Sequence, residues 1–256
     1  MSRGELSDEQ LSRYSRHLLL PEIDLAGQSR LQQASAVIVG AGGLGNPTAM
    51  YLASSGLGRI CIVDDDTIDL GNLQRQIAFH SDNLGQAKAS RLRQTLLALN
   101  PDIQVEAVAR RADSRLLTQL AADADVLIDC SDNFATRFAT NQASLATRTP
   151  LISGSAIGFM GQVSTFDPRQ PTNPCYRCLY PEDDNAPPES CRDRGVFAPL
   201  VGIIGSMQAA EALKIVLEIG QPLTGRLLSI DARSMTPRLA SLRKDPLCPA
   251  CTAPQA

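Results

Sequence analysis

Tryptophan is absent from the 256-residue chain, and aromatic side chains make up only 4% of it. That scarcity argues against a surface that stacks bases on aromatic rings. Histidine is nearly absent too, with two residues, and neither lies among the candidate site residues described below. A basic excess is missing: 24 Lys and Arg stand against 27 Asp and Glu, a formal charge of -3. Such a balance argues against a nucleic-acid partner held by a positive surface. The opening stretch MSRGELSDEQ has no charged-then-apolar leader, and no uninterrupted apolar run reaches the roughly 20 residues of a membrane span. These absences lead to the expectation of a cytoplasmic protein with no membrane partner. Thiols there stay reduced, so the seven cysteines are read as metal ligands, nucleophiles or packing residues rather than disulfides.

What is present reads as an ordinary globular composition, 43% apolar and 20% charged. Strand and helix signals alternate. Strands are expected at Ala36–Val39, Arg59–Asp64, Ile103–Ala109 and Asp125–Cys130, with an extended Pro150–Ser153. Helices are expected at Ser7–Leu20, Pro47–Ser55, Gly85–Leu99, Ser114–Ala122 and Phe134–Ala146, and a further one at about Gly205–Gly220. Continuous apolar strands between helices predict a mostly parallel sheet covered on both faces. Beyond Ile157 the segments GFMGQVSTF, RLLSID and RLASL read as antiparallel strands, with a Pro- and acid-rich loop at Pro181–Gly195. The expected fold class is therefore α/β, a Rossmann-like sheet followed by antiparallel strands. We read one domain over 1–256, its nucleotide half at about 1–155 and a second half at about 156–256.

Gly40-Ala41-Gly42-Gly43-Leu44-Gly45 satisfies G-x-G-x-x-G between an expected strand and an expected helix. Glycines let the backbone approach a phosphate, and the helix N-terminus presents N–H donors to it. Asp64, at the end of the next strand, is placed for ribose hydroxyls. Taken alone, this turn favours NAD over ATP. The residues that follow shift the balance. Gly71, Asn72, Leu73, Gln74 and Arg75 run where a ribose and phosphates would lie, Lys88 sits near the start of a helix, and Asp132-Asn133 follows a buried strand. Cations beside a carboxylate suit a triphosphate with Mg²⁺. Each has a plainer reading: Lys88 and Arg75 as solvated charges, Asp132 as a helix cap.

Cys175-x-x-Cys178 and Cys248-x-x-Cys251 have the spacing of a Cys₄ zinc site, and a full shell makes that zinc structural. Cys61 and Cys130 lie inside strands and read as small buried hydrophobes. Cys191 is flanked by Arg192 and Arg194, which favour a thiolate; nucleophile and bystander both stay open.

Together LSDEQLSRYSRHLLLPEID, VIVGAGGLG, NLQRQ, DCSDN, PCYRCL, GIIGSMQAAEALK and the final C-x-x-C resemble the HesA/MoeB/ThiF family of ubiquitin-activating-like adenylyltransferases, over nearly the whole chain. The resemblance implies ATP-dependent adenylation of the C-terminal Gly-Gly carboxylate of a small ubiquitin-like sulfur carrier, with pyrophosphate released. It implies Gly40, Gly42, Gly43, Gly45, Asp64, residues 71–75, Lys88 and Asp132-Asn133 around the nucleotide, with Asp132 beside Mg²⁺. It also implies that Arg16 reaches the site of the opposite subunit of a homodimer. A glycine stands at 71 where the family often has serine, so no side-chain contact is expected there. Within the family the molybdenum-cofactor branch is preferred and the thiamine branch, favoured by ESCRDRG, is the alternative. No rhodanese-like extension follows Cys251, so a separate sulfur-donor protein is expected. A terminal carboxylate is ionised at neutral pH and needs no general base, which fits the shortage of histidine. The rivals from other classes are an NAD-dependent oxidoreductase and a non-catalytic carrier-binding scaffold.

Overall fold

The computed structural model describes residues 6–181 and 195–252. Five strands form a parallel array: β1 (Ser35–Val39), β2 (Arg59–Val63), β3 (Gln104–Val108), β4 (Val126–Asp129) and β5 (Leu151–Ile157). Three antiparallel strands continue the same sheet, β6 (Met160–Phe166), β7 (Arg226–Asp231) and β8 (Thr236–Ser241). The order is β3-β2-β1-β4-β5-β6-β7-β8. The order of the connections reverses between the parallel neighbours β1 and β4, and a crevice at the carboxyl ends of strands at such a switch point is where ligands bind in open α/β sheets.

Residues of β1 and β4 are buried throughout. Because side chains alternate across a strand, Ala36, Ile38, Ile60, Ile62, Val126 and Ile128 share one core. Val37, Val39, Cys61, Val63 and Leu127 enter the other. Cys61 and Cys130 are both buried, as the sequence reading had them. The first core is closed by α4 (Gly45–Ser54), α5 (Lys88–Leu99) and α9 (Ala198–Leu217), the second by α6 (Ser114–Ala121) and α7 (Phe134–Thr147).

Several boundaries depart from expectation. The N-terminal helix is two short ones, α1 (Asp8–Arg13) and α2 (Ser15–Leu18). They part at Tyr14, whose buried hydroxyl accepts a 2.9 Å hydrogen bond from Asn100 Nδ2. A third helix, α3 (Asp24–Gln33), follows Pro21 unannounced. The Gly205–Gly220 helix begins earlier, at Ala198, and ends at Leu217. Pro199 sits in its first turn, where no donor is lost. Gly205 breaks nothing: a Cβ there would lie 2.5 Å from both Leu44 O and Pro47 Cγ, so the glycine is what lets α9 touch α4. By length and composition α9 is apolar enough to cross a membrane, with a mean hydropathy of 1.6 over an 18-residue window that is 61% buried. Its buried face, including Leu200, Ile204 and Ala212, belongs to the first core. Cys191, Arg192 and Arg194 lie outside the described residues.

Candidate nucleotide site and four-cysteine centre

The glycine turn leaves β1 at Gly40, which has φ +100°; a Cβ there would stand 2.8 Å from Cys130 O. A Cβ on Gly45 would fall 1.9 Å from Gly40 O. No other residue type fits either position, so the motif is dictated by the backbone. Three bonds hold the turn. Gly40 N–H donates to Val63 O (2.8 Å), Ala41 N–H to Asp64 Oδ2 (2.6 Å), and Asn46 Nδ2 to Ala41 O (2.8 Å). Asn46 Oδ1 also accepts from Ala78 N–H (2.9 Å), which binds the turn to the segment after NLQRQ.

That staple lays Gln76 over the turn, its Nε2 3.6 Å from the place a Gly42 Cβ would occupy. Gln76 is only 3% exposed, and its Oε1 finds no hydrogen-bond partner among the described residues. An unpaired buried polar group costs about 1–3 kcal/mol, and such groups recur where a ligand completes the bonding. Hydrogen-bonding capacity is thus held in reserve where the phosphates of a nucleotide would lie.

Asp64 is engaged through both oxygens, Oδ1 accepting from Asp66 N–H at 2.8 Å. Burial raises its carboxyl above the ordinary value, against the pull of those two N–H groups and of Lys88. Lys88 is the first residue of α5, 6% exposed, with Nζ 2.9 Å from Asp66 Oδ2. Asp66 is a partner that the sequence reading did not single out. Arg75 is half-buried and donates from Nη1 to Gly71 O (3.0 Å). Asn72 closes a short 3₁₀ turn with Asp69, its Oδ1 accepting from Asp69 N–H. Gln74 is exposed and Leu73 packs against the first core.

Beyond β4, Asn133 rather than Asp132 caps α7, its Oδ1 accepting from Thr136 N–H (2.9 Å). Asn133 Nδ2 lies 3.4 Å from Asp132 Oδ1, and Asp132 is half-buried. The glycine turn, Asp64, Lys88 and Asp132-Asn133 therefore share the carboxyl edge. Arg16 does not join them within one chain. The exposed α2 that carries it follows Tyr14, which is anchored to Asn100 at the opposite end of the sheet.

Cys175, Cys178, Cys248 and Cys251 place their sulfurs within 4.8 Å of one another. The Cys175–Cys248, Cys178–Cys251 and Cys175–Cys178 separations are 3.7, 3.6 and 3.9 Å. A tetrahedron with metal–sulfur bonds of about 2.3 Å has sulfurs about 3.8 Å apart, so the four fit such an ion. Burial, then repulsion from Cys178, pushes the Cys175 thiol up to about 12; a cation is what would let the group ionise together.

Five of the ten aromatic residues gather beside this centre. Tyr176, in the short helix α8 (Tyr176–Leu179), meets Phe138, Phe166 and Tyr180 at centroid distances of 5.9, 5.8 and 5.0 Å. The sequence reading missed this cluster, and with it Asn46, Asp66 and Arg137. Each is one polar or aromatic residue inside a helix or loop, and none carries a local motif.

The ThiF family model matches residues 14–250. The sulfur carrier protein ThiS adenylyltransferase of Escherichia coli K12 is 43% identical over 246 residues, 96% of this chain and 97% of that protein. The molybdopterin-synthase adenylyltransferase of Salmonella typhimurium is 41% identical over 250 residues, 97% and 99% of the two chains. Among solved structures, Escherichia coli MccB with ATP superposes with a TM-score of 0.80 at 25% identity, covering 98% of this chain and 76% of MccB.

Proposed function

This chain belongs to the ThiF family, and on that premise we propose that it adenylates the C-terminal glycine carboxylate of a small sulfur-carrier protein with ATP, releasing pyrophosphate. The carrier we assign is that of molybdopterin synthase, with the thiamine-pathway carrier as the alternative. Relatives of both kinds match over nearly full length, at 41% and 43% identity. The observation that supports the reading is the carboxyl edge of the sheet, which carries the unpaired amide oxygen of Gln76 over the glycine turn, Lys88 and the Asp132-Asn133 turn.

In this reading the turn at Gly40, Gly42, Gly43 and Gly45 receives phosphates, Asp64 the ribose, and residues 71–75 with Lys88 the rest of the nucleotide. Asp132 would hold Mg²⁺, which would neutralise phosphate charge, and Asn133 would brace the carboxylate. The barrier lies in bringing a carboxylate onto an already anionic phosphate, so fixed positive charge is the main catalytic resource. Lys88, Arg75 and, across a homodimer, Arg16 supply it. The ionised terminus attacks the α-phosphorus and pyrophosphate departs with its charge neutralised. The half of the chain up to about residue 155 binds the nucleotide, and the half beyond receives the carrier and is pinned by structural zinc. A separate protein supplies sulfur, and Cys191 is the residue to test for its transfer.

The test is ATP–pyrophosphate exchange with carriers ending in Gly-Gly, in wild type and Asp132→Ala. Loss of about 10²–10³ in rate is expected for the variant. Near-normal exchange by folded Asp132→Ala would remove Asp132 from the mechanism. Exchange with the thiamine-pathway carrier alone would reassign the pathway.

A further inference from the structure

Arg137 is 6% exposed, one turn into α7, and reaches back across the seam between β4 and β5. Backbone pairing there ends at Asp129 and Ser153, so the next carbonyls have no ladder to join. Arg137 Nη2 donates to two of them, Ser131 O at 2.7 Å and Gly154 O at 3.0 Å. Nη1 stands 3.6 Å from Asp129 Oδ2 and 3.5 Å from Ser153 Oγ. Asp129 Oδ1 in turn accepts from the Ser131 amide (3.0 Å) and hydroxyl (2.6 Å). Ser131 is thereby held at both its N–H and its carbonyl, immediately before Asp132.

A second chain of contacts arrives from the four-cysteine centre. Tyr176 lies between the ligand candidates Cys175 and Cys178, and its N–H donates to Asn141 Oδ1 on α7 (2.9 Å). Tyr176 and Arg137 line the same small cavity, together with Gly154 and Gln162. Phe138, Phe166 and Tyr180 enclose the ring. The guanidinium is fixed by backbone carbonyls, and the cavity beside it is lined by the short helix α8 that carries the first C-x-x-C.

We propose that Arg137 is the positioning residue of the Asp132-Asn133 turn, and that the four-cysteine centre braces it through Tyr176. The inference deepens the adenylation reading and rests on it for the role of Asp132. A planar fork with several fixed donors can span two carbonyls and a carboxylate at once; a lysine cannot. A cysteine centre remote from the phosphates would then act on rate through two side chains.

The test uses the metal-loaded, full-length protein with Arg137→Lys and Tyr176→Phe. Arg137→Lys keeps a cation against Asp129 and so guards against simple unfolding. It should lower the turnover of ATP–pyrophosphate exchange by about 10–100-fold, the cost of a misplaced catalytic group. KM for ATP should stay within about twofold, because ground-state binding is untouched. Tyr176→Phe should lower turnover by about 3–10-fold, by removing the polar group that shares the cavity with the guanidinium. In both variants, native-state amide hydrogen exchange should quicken at Asp132, Asn133 and Phe134 and stay unchanged in β1 and β2. Unchanged turnover in folded Arg137→Lys, or quickening spread over the whole sheet, would overturn the positioning role. Wild-type exchange rates in Tyr176→Phe would overturn the brace. If the wild type adenylates no carrier, the reading of the reaction fails while the amide measurement still decides the tie.

Discussion

The parallel and antiparallel parts of the sheet are held by different means. β1 and β4 are buried on both faces, with helices on either side. At the far edge every residue of β8 is exposed, and the chain beyond it is tied back by Cys248 and Cys251 to Cys175 and Cys178. One part draws on apolar burial, which is non-directional and spread over many residues. The other has a smaller share of that burial, through Val163 and Ile230, and adds four sulfurs placed to hold one ion. A packed layer loses stability in increments when altered, whereas a metal clasp is lost outright.

The largest effect should follow from opening that clasp. Cys248 is fully buried, and metal binding at structural zinc sites is folding free energy. Cys248→Ala should reduce zinc from about one ion per chain to none and cost several kcal/mol, about 10 °C or more in melting temperature. Metal analysis with calorimetry checks this. A metal-free protein that melts like the wild type would make the comparison empty.

Next in size is the seam between β4 and β5, one strand short of where the two parts meet. Asp129 and Arg137 are both buried, and removing one member of such a pair leaves the other charge stranded. Asp129→Ala should destabilise by about 3–5 kcal/mol, read by urea unfolding. A loss confined to amides of β5–β8 would show the seam to be a boundary, while a loss shared by β1 and β2 would show one cooperative unit. Smaller again is Gly205→Ala. Its methyl would meet Leu44 O and Pro47 Cγ at 2.5 Å, an overpacking worth about 1–3 kcal/mol. Because Leu44 belongs to the glycine turn, ATP affinity should weaken with stability.

The same contrast governs what could be read from sequence. The glycine turn was legible because backbone geometry admits only glycine at Gly40 and Gly45. The four cysteines were legible because ligand spacing is local within each pair. Parallel strands showed as continuous apolar runs for the reason that both their faces are covered. What escaped was set by tertiary contact. Gly205 reads as a helix breaker until α4 is brought against it. Arg137 reads as a surface charge on a helix until the splayed carbonyls of Ser131 and Gly154 are placed in its reach. Asp66 and Asn46 acquire partners only when loops distant in sequence converge.

The finest discrimination between the two parts is chemical. Burial pushes the Cys61 thiol up to about 12, with a further push from Glu106, and does the same to Cys130. At pH 7.5 a thiol with such a value is ionised at a level of about 10⁻⁴ to 10⁻⁵, and only the thiolate is alkylated. Reactivity should rise about tenfold for each pH unit until the fold gives way. In a Cys191→Ser background, the metal-loaded protein should therefore take up almost no alkylating reagent at pH 7.5. Chelation opens the clasp and so removes the burial that raises Cys175; Cys175, Cys178, Cys248 and Cys251 should then react while Cys61 and Cys130 stay protected, since their protection comes from the packed layers. Peptide mass mapping reads the six positions separately. Labelling of Cys61 and Cys130 at the same rate as the other four would mean that the clasp supports the parallel layers as well, and the division drawn between them would fall.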